Sequence, residues 1–356
     1  MSKRIPLLVA GLGTAVLGAA CLSCAGLLVG PTWFAPGPVE DVDVQCAPQT
    51  PPLPRGRVLR ALVWNIQFSG SRNHHFFYDD GDAVSVPPED VERSLNRIAQ
   101  AVTRLDPDLI LWQEVDRASR RTGYVDQQEA LLQRNPYPCH LSTPYHRAPY
   151  VPHPPFEHLG AVDMHLAIWS KYQIREATRI DLPRINESFL RQQFNLKRAL
   201  LSAKMPIEGG GVFHALNTHL SAFSMKDGTL KRQLDTIRGH LDQIPKGTEP
   251  WLLGGDMNCL PPGDDPQRLS FGSDRYEVPS PLETWFEDFH SVVPLEEYQD
   301  DPEPWRTFLP FGASTPDRTL DYAFHGEGVR VHRVSVVSDL SDLSDHVPLL
   351  VDFELE

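Results

Sequence analysis

Positive charge is scarce in this sequence of 356 residues, in which 33 Lys and Arg stand against 47 Asp and Glu for a formal net charge of -14. This balance argues against a surface that binds polyphosphate by general electrostatic attraction, although a local basic cleft or bound cations would override the average. The excess of acidic residues instead fits a protein that collects divalent cations.

Cysteine is also scarce, and only Cys46, Cys139 and Cys259 follow the first thirty residues. In an exported chain an odd number of cysteines allows at most one internal disulfide among these three, which excludes a disulfide-dense scaffold. None of the three has the spacing of zinc ligands.

Hydrophobic residues make up 41% of the chain and charged residues 22%, which argues against wholesale disorder and a multi-span membrane protein. One long apolar run lies at the start, where two basic residues precede the 24 uncharged residues 7–30. Such a run is long enough to span a bilayer, and the preceding positive charge predicts that the rest lies outside the cytoplasm. We predict a signal sequence or membrane anchor over residues 1–30, with a retained anchor favoured over cleavage or lipidation.

Residues 31–57 are rich in proline and acidic residues and show no apolar periodicity, which predicts an extended linker. From residue 58 to residue 356 the chain is predicted to form one domain. The order strand, helix, strand occurs twice, over residues 57–66, 88–105 and 106–115 and over residues 212–220, 230–244 and 251–256. Two similar halves predict a two-layered β core covered by helices.

Polar residues with metal or phosphate chemistry follow these apolar strands, at the strand ends where sheets present catalytic groups. They are Asn65, Glu114, Asn217, His219, Asp256 and Asn258. Near the C-terminus, Asp321 lies within an apolar alternation, and Asp345 and His346 precede the last strand.

With these residues the chain resembles the endonuclease/exonuclease/phosphatase superfamily, the DNase I-like metal-dependent hydrolases that include neutral sphingomyelinases and inositol polyphosphate 5-phosphatases. The matching elements, in family order, are WNI with Asn65, WQEV with Glu114, the strand IWSK over 168–171, Arg198, NTHL with Asn217 and His219, GDMN with Asp256 and Asn258, LDYAF with Asp321, and SDHVP with Asp345 and His346. The resemblance implies an α/β fold: a four-layer sandwich of two packed mixed β-sheets flanked by helices, with the active site where strand ends meet.

The resemblance also implies a cation site formed by Glu114, Asn65 and Asp345. Mg²⁺ is the expected ion, with Mn²⁺ as a substitute, because a hard cation prefers carboxylates, waters and phosphate oxygens.

Further roles carried over from the family belong to the hydrolytic step. Asp256 orients or deprotonates the attacking water, with Asn258 beside it on the phosphate. His219, together with His346 held by Asp321, neutralises the charge that develops on phosphate oxygens. The expected phosphate-binding residues are Asn217 and Arg198, although an exposed surface charge is the alternative for Arg198.

The leading functional prediction is an exported, membrane-tethered phosphodiesterase that acts on a phospholipid, with water attacking phosphorus in line. Aromatic loops at residues 74–78 and 136–158 suit a lipid interface, or pack on their own domain. The first alternative is an extracytoplasmic nuclease, which the lack of basic stretches disfavours. The second is an inactive binding module, which predicts an eroded metal or histidine position, and none is eroded. No obligate protein partner is evident.

Overall fold

The computed structural model of this protein describes residues 37–222 and 227–356. The predicted signal or anchor over residues 1–30 lies outside these ranges. Within them, no helix is long and apolar enough to cross a membrane.

Strands and helices alternate along the described chain. The strands are β1 Val39–Asp41, β2 Gln45–Cys46, β3 Leu59–Asn65, β4 Leu109–Asp116, β5 Cys139–Val151, β6 Gly160–Ser170, β7 Glu176–Asp181, β8 Ala199–Pro206, β9 Val212–His219, β10 Trp251–Asp256, β11 His290–Ser291, β12 Asp321–His325, β13 Val329–Val336 and β14 Leu349–Leu355. The α-helices are α1 Pro88–Leu105, α2 Gln127–Arg134, α3 Phe189–Phe194, α4 Thr229–Leu241, α5 Glu283–Asp288 and α6 Leu295–Asp300.

The strands form two mixed sheets of seven strands each, as the resemblance implied. The first sheet has the order β1-β7-β8-β9-β10-β12-β11, and the second has the order β13-β14-β3-β4-β6-β5-β2. Both strand-helix-strand units expected from the sequence are present, and in each the two strands pair in parallel, β3 with β4 and β9 with β10.

The two sheets pack face to face because their strands are apolar on both sides. In β3, Val63 faces the first sheet and joins the central core with Leu252 of β10. The neighbouring Trp64 points the opposite way, as alternate residues of a strand do, and packs against Ile98 of α1. On the far side of the first sheet, Leu234 of α4 belongs to a third core. Helices, two sheets and helices therefore form four layers.

Two consecutive glycines in β10 bring the sheets and strands close together just below the end of that strand. A Cβ atom on Gly254 would lie 2.6 Å from Cγ2 of Val63 and 2.8 Å from Cδ1 of Leu111 in the opposite sheet. A Cβ atom on Gly255 would lie 2.0 Å from the carbonyl oxygen of Thr218 in β9. Only glycine permits this approach, which sets the position of Asp256 next in sequence.

The structure corrects the predicted linker over residues 31–57, because residues 39–53 within it are part of the domain. β1 pairs with β7 and β2 pairs with β5, so this segment extends the edge of both sheets. Leu53 is buried in the central core, and its N–H donates to the carbonyl of Pro206 at 2.8 Å. The paired stretches are two or three residues long, too short to show an alternating pattern in sequence.

A disulfide joins Cys46 of β2 to Cys139 of β5, across 93 positions of sequence. It is the one internal bridge that the cysteine count allowed, and it fastens the segment before the first core strand to the second sheet. Cys259 is buried with a free thiol.

Candidate active site

Strand ends from both sheets converge on one cleft with a volume of about 680 Å³. In the first sheet, the last residue of β10, Asp256, lies beside His219 at the end of β9 and opposite Asp321 at the start of β12. In the second sheet, β3 ends at Asn65 and β4 carries Glu114 near its end. The packing of the two sheets therefore brings these five side chains to one place.

A buried chain of hydrogen-bonding groups runs from Asp321 through His346 to Asp256. Nδ1 of His346 lies 2.7 Å from Oδ2 of Asp321, and Nε2 lies 3.4 Å from Oδ2 of Asp256. Burial by itself would lower the pKa of His346, but the negative charges of Asp321 and Asp256 outweigh it and raise this pKa well above its ordinary value. The two carboxylates therefore favour the protonated form of this imidazole.

The pKa of the second histidine of the cleft, His219, is shifted in the opposite direction. Nε2 of His219 lies 3.2 Å from Oδ2 of Asp256, and the ring is almost fully buried. Burial, the positive charge of Arg198 and that of His346 all lower the pKa of His219 well below its ordinary value. The surroundings of Asp256 thus favour the protonated form of His346 and the neutral form of His219.

Asp256 is the common neighbour of these groups. Its Oδ1 accepts a hydrogen bond from the N–H of Asn258 at 3.0 Å, and its Oδ2 accepts one from Nδ2 of Asn65 at 3.2 Å. Burial raises the pKa of Asp256 to about 7, with the charge of His346 opposing this shift and that of Asp321 adding to it. A carboxylate with such a pKa exchanges a proton readily near neutral pH.

Glu114 is turned toward the cleft by an irregularity in its strand. The pairing of β4 with β6 shifts register between Trp112 and Val115, and Glu114 has a φ of 56°. A non-glycine residue rarely adopts this left-handed conformation, and β-bulges of this kind redirect side chains beside active sites. The bulge therefore gives Glu114 a partly exposed carboxylate at the cleft wall.

A divalent cation fits the carboxylates of Glu114 and Asp345. Asp345 also lines the cleft; burial raises its pKa to about 6, and the negative charge of Glu114 adds to the shift while His346 opposes it. Two carboxylates that disfavour each other's charge are stabilised by a cation between them, and carboxylate oxygen is the ligand that hard cations prefer.

A second trio of ligand atoms, from Asp256, Asp321 and His346, lies within 4.8 Å of one another. Nδ1 of His346 in this trio already lies 2.7 Å from Oδ2 of Asp321, so a cation here would compete with that hydrogen bond.

Asn65, expected beside Glu114 and Asp345 as a ligand, is oriented differently. Its Oδ1 accepts a hydrogen bond from the N–H of Gln67 at 3.0 Å, while its Nδ2 donates to Glu114 and Asp256. As the hydrogen bonds orient it, Asn65 positions two carboxylates, and coordination by its oxygen stays a prediction.

Asn217 does not bind phosphate in this arrangement, contrary to the sequence expectation. Its side chain is fully buried between the sheets, where Nδ2 donates to the carbonyls of Trp112 at 2.8 Å and Ala167 at 3.0 Å. Its Oδ1 accepts from Nε2 of Gln113 at 2.7 Å. Each polar atom is engaged, so Asn217 ties the second sheet to the first beneath the cleft.

Arg198 is a cleft residue and not a surface charge. It is 3% exposed, and its Nε and Nη1 have no hydrogen-bond partner in the part of the chain that the structure describes. A buried guanidinium with free donors is poised to bind an anion, because leaving them unpaired is costly.

A sequence-family model described as the endonuclease/exonuclease/phosphatase family matches residues 62–346, most of the chain. The chain belongs to this family. Its members are hydrolases that act on phosphoester bonds and generally depend on divalent metal ions.

Solved structures agree on the fold. An endonuclease/exonuclease/phosphatase from Beutenbergia cavernae has a TM-score of 0.56 and 23% identity, over 84% of this chain and 72% of that one. The human nocturnin catalytic domain with bound sulfate has a TM-score of 0.54 and 18% identity, over 88% and 97%. A mannosyl-6-phosphatase from Bacteroides thetaiotaomicron has a TM-score of 0.50 and 14% identity, over 83% and 99%. At these identities the likeness establishes the fold alone. A search of curated protein sequences finds no match.

Most of the site residues expected from family motifs come together at the cleft. Its walls include Glu114, Arg198, His219, Asp256, Asn258, Asp345 and His346. Asn65 and Asp321 stand directly behind this wall and hydrogen-bond to it. Nδ2 of Asn258 donates to the carbonyl of Leu220 at 3.0 Å, which holds this side chain against the strand end.

Gln67 and His146 also line the cleft and belong to none of the family motifs. Oε1 of Gln67 accepts a hydrogen bond from the N–H of Asp345 at 3.2 Å and so connects the first and last motifs. His146 is buried, and burial together with the charges of Lys197 and Arg198 lowers its pKa to about 3. Only the position of Gln67 directly after the WNI motif could have drawn attention to it, and no sequence pattern marks His146.

Proposed function

We propose that this family member is an exported, Mg²⁺-dependent phosphodiesterase that releases the headgroup of a phospholipid. The observation that carries the proposal is the composition of the cleft. Its lining combines the acidic, histidine and arginine side chains suited to phosphoester hydrolysis with many apolar side chains.

The charged end of the cleft supports attack of water on phosphorus. Asp256, with a pKa near neutrality, orients the attacking water and accepts its proton. As the new bond to phosphorus forms, the bond from phosphorus to the lipid oxygen breaks, and that oxygen leaves with a proton taken from solvent. The protonated His346 donates to a phosphate oxygen from Nε2, and Arg198 binds the same phosphate through its free N–H groups. Asp321 keeps His346 charged through Nδ1.

Glu114 and Asp345 would hold the Mg²⁺ ion, which when bound supplies positive charge to the phosphate oxygens and favours ionisation of water. Asn65 keeps Glu114 in place through Nδ2 at 3.2 Å. In-line displacement needs positioning and charge stabilisation, so the chain requires no serine or cysteine nucleophile.

The apolar walls support a lipid as the substrate. Beyond the polar residues, the lining includes Phe77, Leu159, Val162, Phe194, Phe308 and Phe311. Walls of this kind remove the apolar part of a substrate from water while the polar end fixes its phosphate. A free sugar phosphate would gain little from them.

The disulfide between Cys46 and Cys139 supports export, because such bonds form and persist in oxidising compartments. The uncharged segment over residues 7–30 supports the same route.

The test is hydrolysis of sphingomyelin and phosphatidylcholine in vesicles by the purified full chain with Mg²⁺, measured as released phosphocholine. EDTA and the variant Glu114→Gln should each reduce release at least a hundredfold, and added Mg²⁺ should restore only the EDTA-treated enzyme. The matched control is Glu89→Gln, an exposed glutamate in the first turn of α1, which should not change the rate.

A plasmid and an inositol phosphate are assayed in parallel. Cleavage of DNA without release of phosphocholine would identify a nuclease and refute the lipid assignment. Hydrolysis that is insensitive to EDTA would refute the metal assignment.

A further inference from the structure

The described chain begins at the same end of the molecule as the cleft. β1 begins at Val39, beside the end of β7, and the N–H of Asp181 donates to the carbonyl of Pro38 at 2.8 Å. Asp181 pairs with Ala199, which directly follows Arg198 of the cleft wall. Residues 37 and 38, where the described chain begins, therefore lie at the cleft end of the first sheet.

Contacts before and after β1 in the sequence fix where the described chain enters the domain. Nη1 of the buried Arg179 donates to the carbonyl of Gly37 at 2.9 Å, and Nη2 bonds to Oδ1 of Asp181 at 2.8 Å. A few residues later, the disulfide from Cys46 to Cys139 fastens the chain covalently to the second sheet. The point where the N-terminal segment leaves the domain thus cannot move to the opposite end.

The connection to the uncharged segment is short. Only residues 31–36 separate the run over 7–30 from Gly37. Six residues span at most about 21 Å when fully extended, which is about the length of a strand of the sheet. If the segment over 7–30 is held in a bilayer, the cleft end of the domain therefore lies close to the bilayer and the opposite end lies away from it.

A hairpin extends beyond the cleft end of the second sheet. Val115, next to Glu114, pairs with His165, and β6 begins five residues earlier, at Gly160. Five residues of strand add about 16 Å. Between β5 and β6, the turn over residues 152–159 forms the tip of this hairpin.

Aromatic side chains surround the mouth of the cleft at this tip and on the neighbouring loops, where Phe156, Phe311 and His153 are exposed and Phe77 and His75 are half-buried. Phe156 is fully exposed at 103%, and Phe311 is 43% exposed. The rings of Phe77 and His153 meet at 5.4 Å, and those of His75 and Phe311 stack at 4.0 Å. We call these five residues the cleft rim. Large exposed apolar groups gathered around an opening indicate a binding surface.

We propose that the cleft rim rests on the surface of a phospholipid bilayer, so that the cleft opens directly onto the headgroups. Aromatic side chains are favoured at this interface, where their rings meet the acyl boundary and their polar atoms meet water. Gly37 lies at the same end of the molecule as the rim, so an anchor formed by the preceding segment would bring the rim to the lipid surface. The proposal deepens the proposed function, on which it rests, by assigning the orientation in which the enzyme meets its substrate.

The first experiment separates docking from chemistry with two substrates. The full chain is reconstituted in phosphatidylcholine nanodiscs, and hydrolysis of the bilayer lipid is compared with that of soluble bis(4-nitrophenyl) phosphate. Phe156→Ser should lower the rate on the bilayer lipid about tenfold and leave the soluble diester unchanged, because Phe156 does not line the cleft.

The matched control is Val58→Ser, which removes an apolar group that is 47% exposed at the start of β3. Because β3 ends at the cleft with Asn65, Val58 lies at the opposite end of the molecule, and neither rate should change. An unchanged lipid rate in Phe156→Ser, or equal losses on both substrates, would overturn the proposal.

The second experiment measures orientation without catalysis, by hydrogen exchange of the full chain in the same nanodiscs. The amides of residues 156–158 donate to no backbone carbonyl in the described ranges, so only the bilayer would slow their exchange. They should exchange several-fold more slowly in the wild type than in Phe156→Ser, while the turn over 209–211, which follows β8 away from the cleft, should be unaffected. Slowed exchange at that turn with a freely exchanging tip would overturn the proposed orientation. A protected tip in a protein that hydrolyses neither substrate would uphold the orientation and refute the proposed function.

Discussion

Gly254 offers a direct test of how the two sheets hold the catalytic end of β10. The substitution Gly254→Ala adds one methyl group where the sheets meet, two residues before Asp256. That methyl would lie 2.6 Å from Cγ2 of Val63 and 2.8 Å from Cδ1 of Leu111, both buried in the central core. Carbon atoms are in favourable contact at about 3.5 to 4.0 Å, so each neighbour must retreat by about 1 Å or the sheets must separate.

The expected loss of stability follows from this overlap. Overpacking of a close-packed core costs about 1 to 3 kcal/mol, and two simultaneous overlaps from the opposite sheet place Gly254→Ala near the upper value, about 3 kcal/mol. Because Asp256 follows on the same strand, the displacement also moves its carboxylate relative to His219 and His346. A misplacement of about 1 Å at a reacting group costs about a hundredfold in rate, so kcat should fall as well.

Urea unfolding followed by tryptophan fluorescence measures the free energy of unfolding. The matched control is Gly239→Ala in α4, where the added Cβ meets nothing within 4 Å. This control should be neutral or more stable by about 0.5 to 1 kcal/mol, since alanine favours a helix.

The double variant Gly254→Ala with Val63→Ala decides whether the overlap is the cause. Val63→Ala alone should cost about 2 kcal/mol from lost burial and a cavity, but in the double variant the new methyl occupies part of that cavity. The two losses should then sum to at least 1 kcal/mol more than the loss of the double variant. Strictly additive losses would refute the reasoning, as would a Gly254→Ala protein as stable as the control.

Four further predictions concern the site and its supports. Asp321→Asn should lower the pKa of His346, so that activity, measured as a pH-rate profile, is lost at neutral pH and persists only at lower pH; an unshifted profile would contradict the assigned charge state. In the wild type, the same pair should stabilise the fold below about pH 6.5 and lose its contribution as the pH rises through the raised pKa of His346, which urea titrations across pH would detect. Asn217→Ala should lower the free energy of unfolding by about 2 to 3 kcal/mol, because it leaves buried hydrogen-bonding partners unpaired. It should cause no selective rise in KM, because the side chain makes no substrate contact. Reduction of the bond between Cys46 and Cys139 should cost about 2 to 4 kcal/mol in the same unfolding assay, and an unchanged midpoint with a strong reductant would refute that role.

The positions of the site residues in sequence were sufficient to predict which strand ends meet, but not what each side chain does there. Glu114 and Asp345 face the cleft as the family motifs implied. Asn217 belongs to an equally recognisable motif, yet its side-chain amide forms hydrogen bonds between the two sheets. The difference depends on which face of a strand points to the cleft and which partners surround it, and a linear motif records neither.

The sequence also does not reveal the burial of Arg198 or the strand pairing of the residues before β3. An isolated arginine in sequence has no marked environment, whereas burial without partners identifies Arg198 as an anion-binding group. Residues 39–53 appeared to be a linker because their pairings are brief and their partners distant in sequence. Their strands pair with β7 and β5, whose residues lie more than ninety positions further along the chain.

The sequence by itself determined which residue types form the site and in what order the strands and helices follow along the chain. Apolar periodicity set the strands and helices, and the acidic and histidine residues after those strands set the kind of site, because both depend on residues near in sequence. Only the tertiary structure decided the opposite pKa shifts of His219 and His346, the path of the described chain past the cleft, and the aromatic rim around it. Each of these depends on groups from distant segments, whose burial, charge and distance arise when the two sheets pack together.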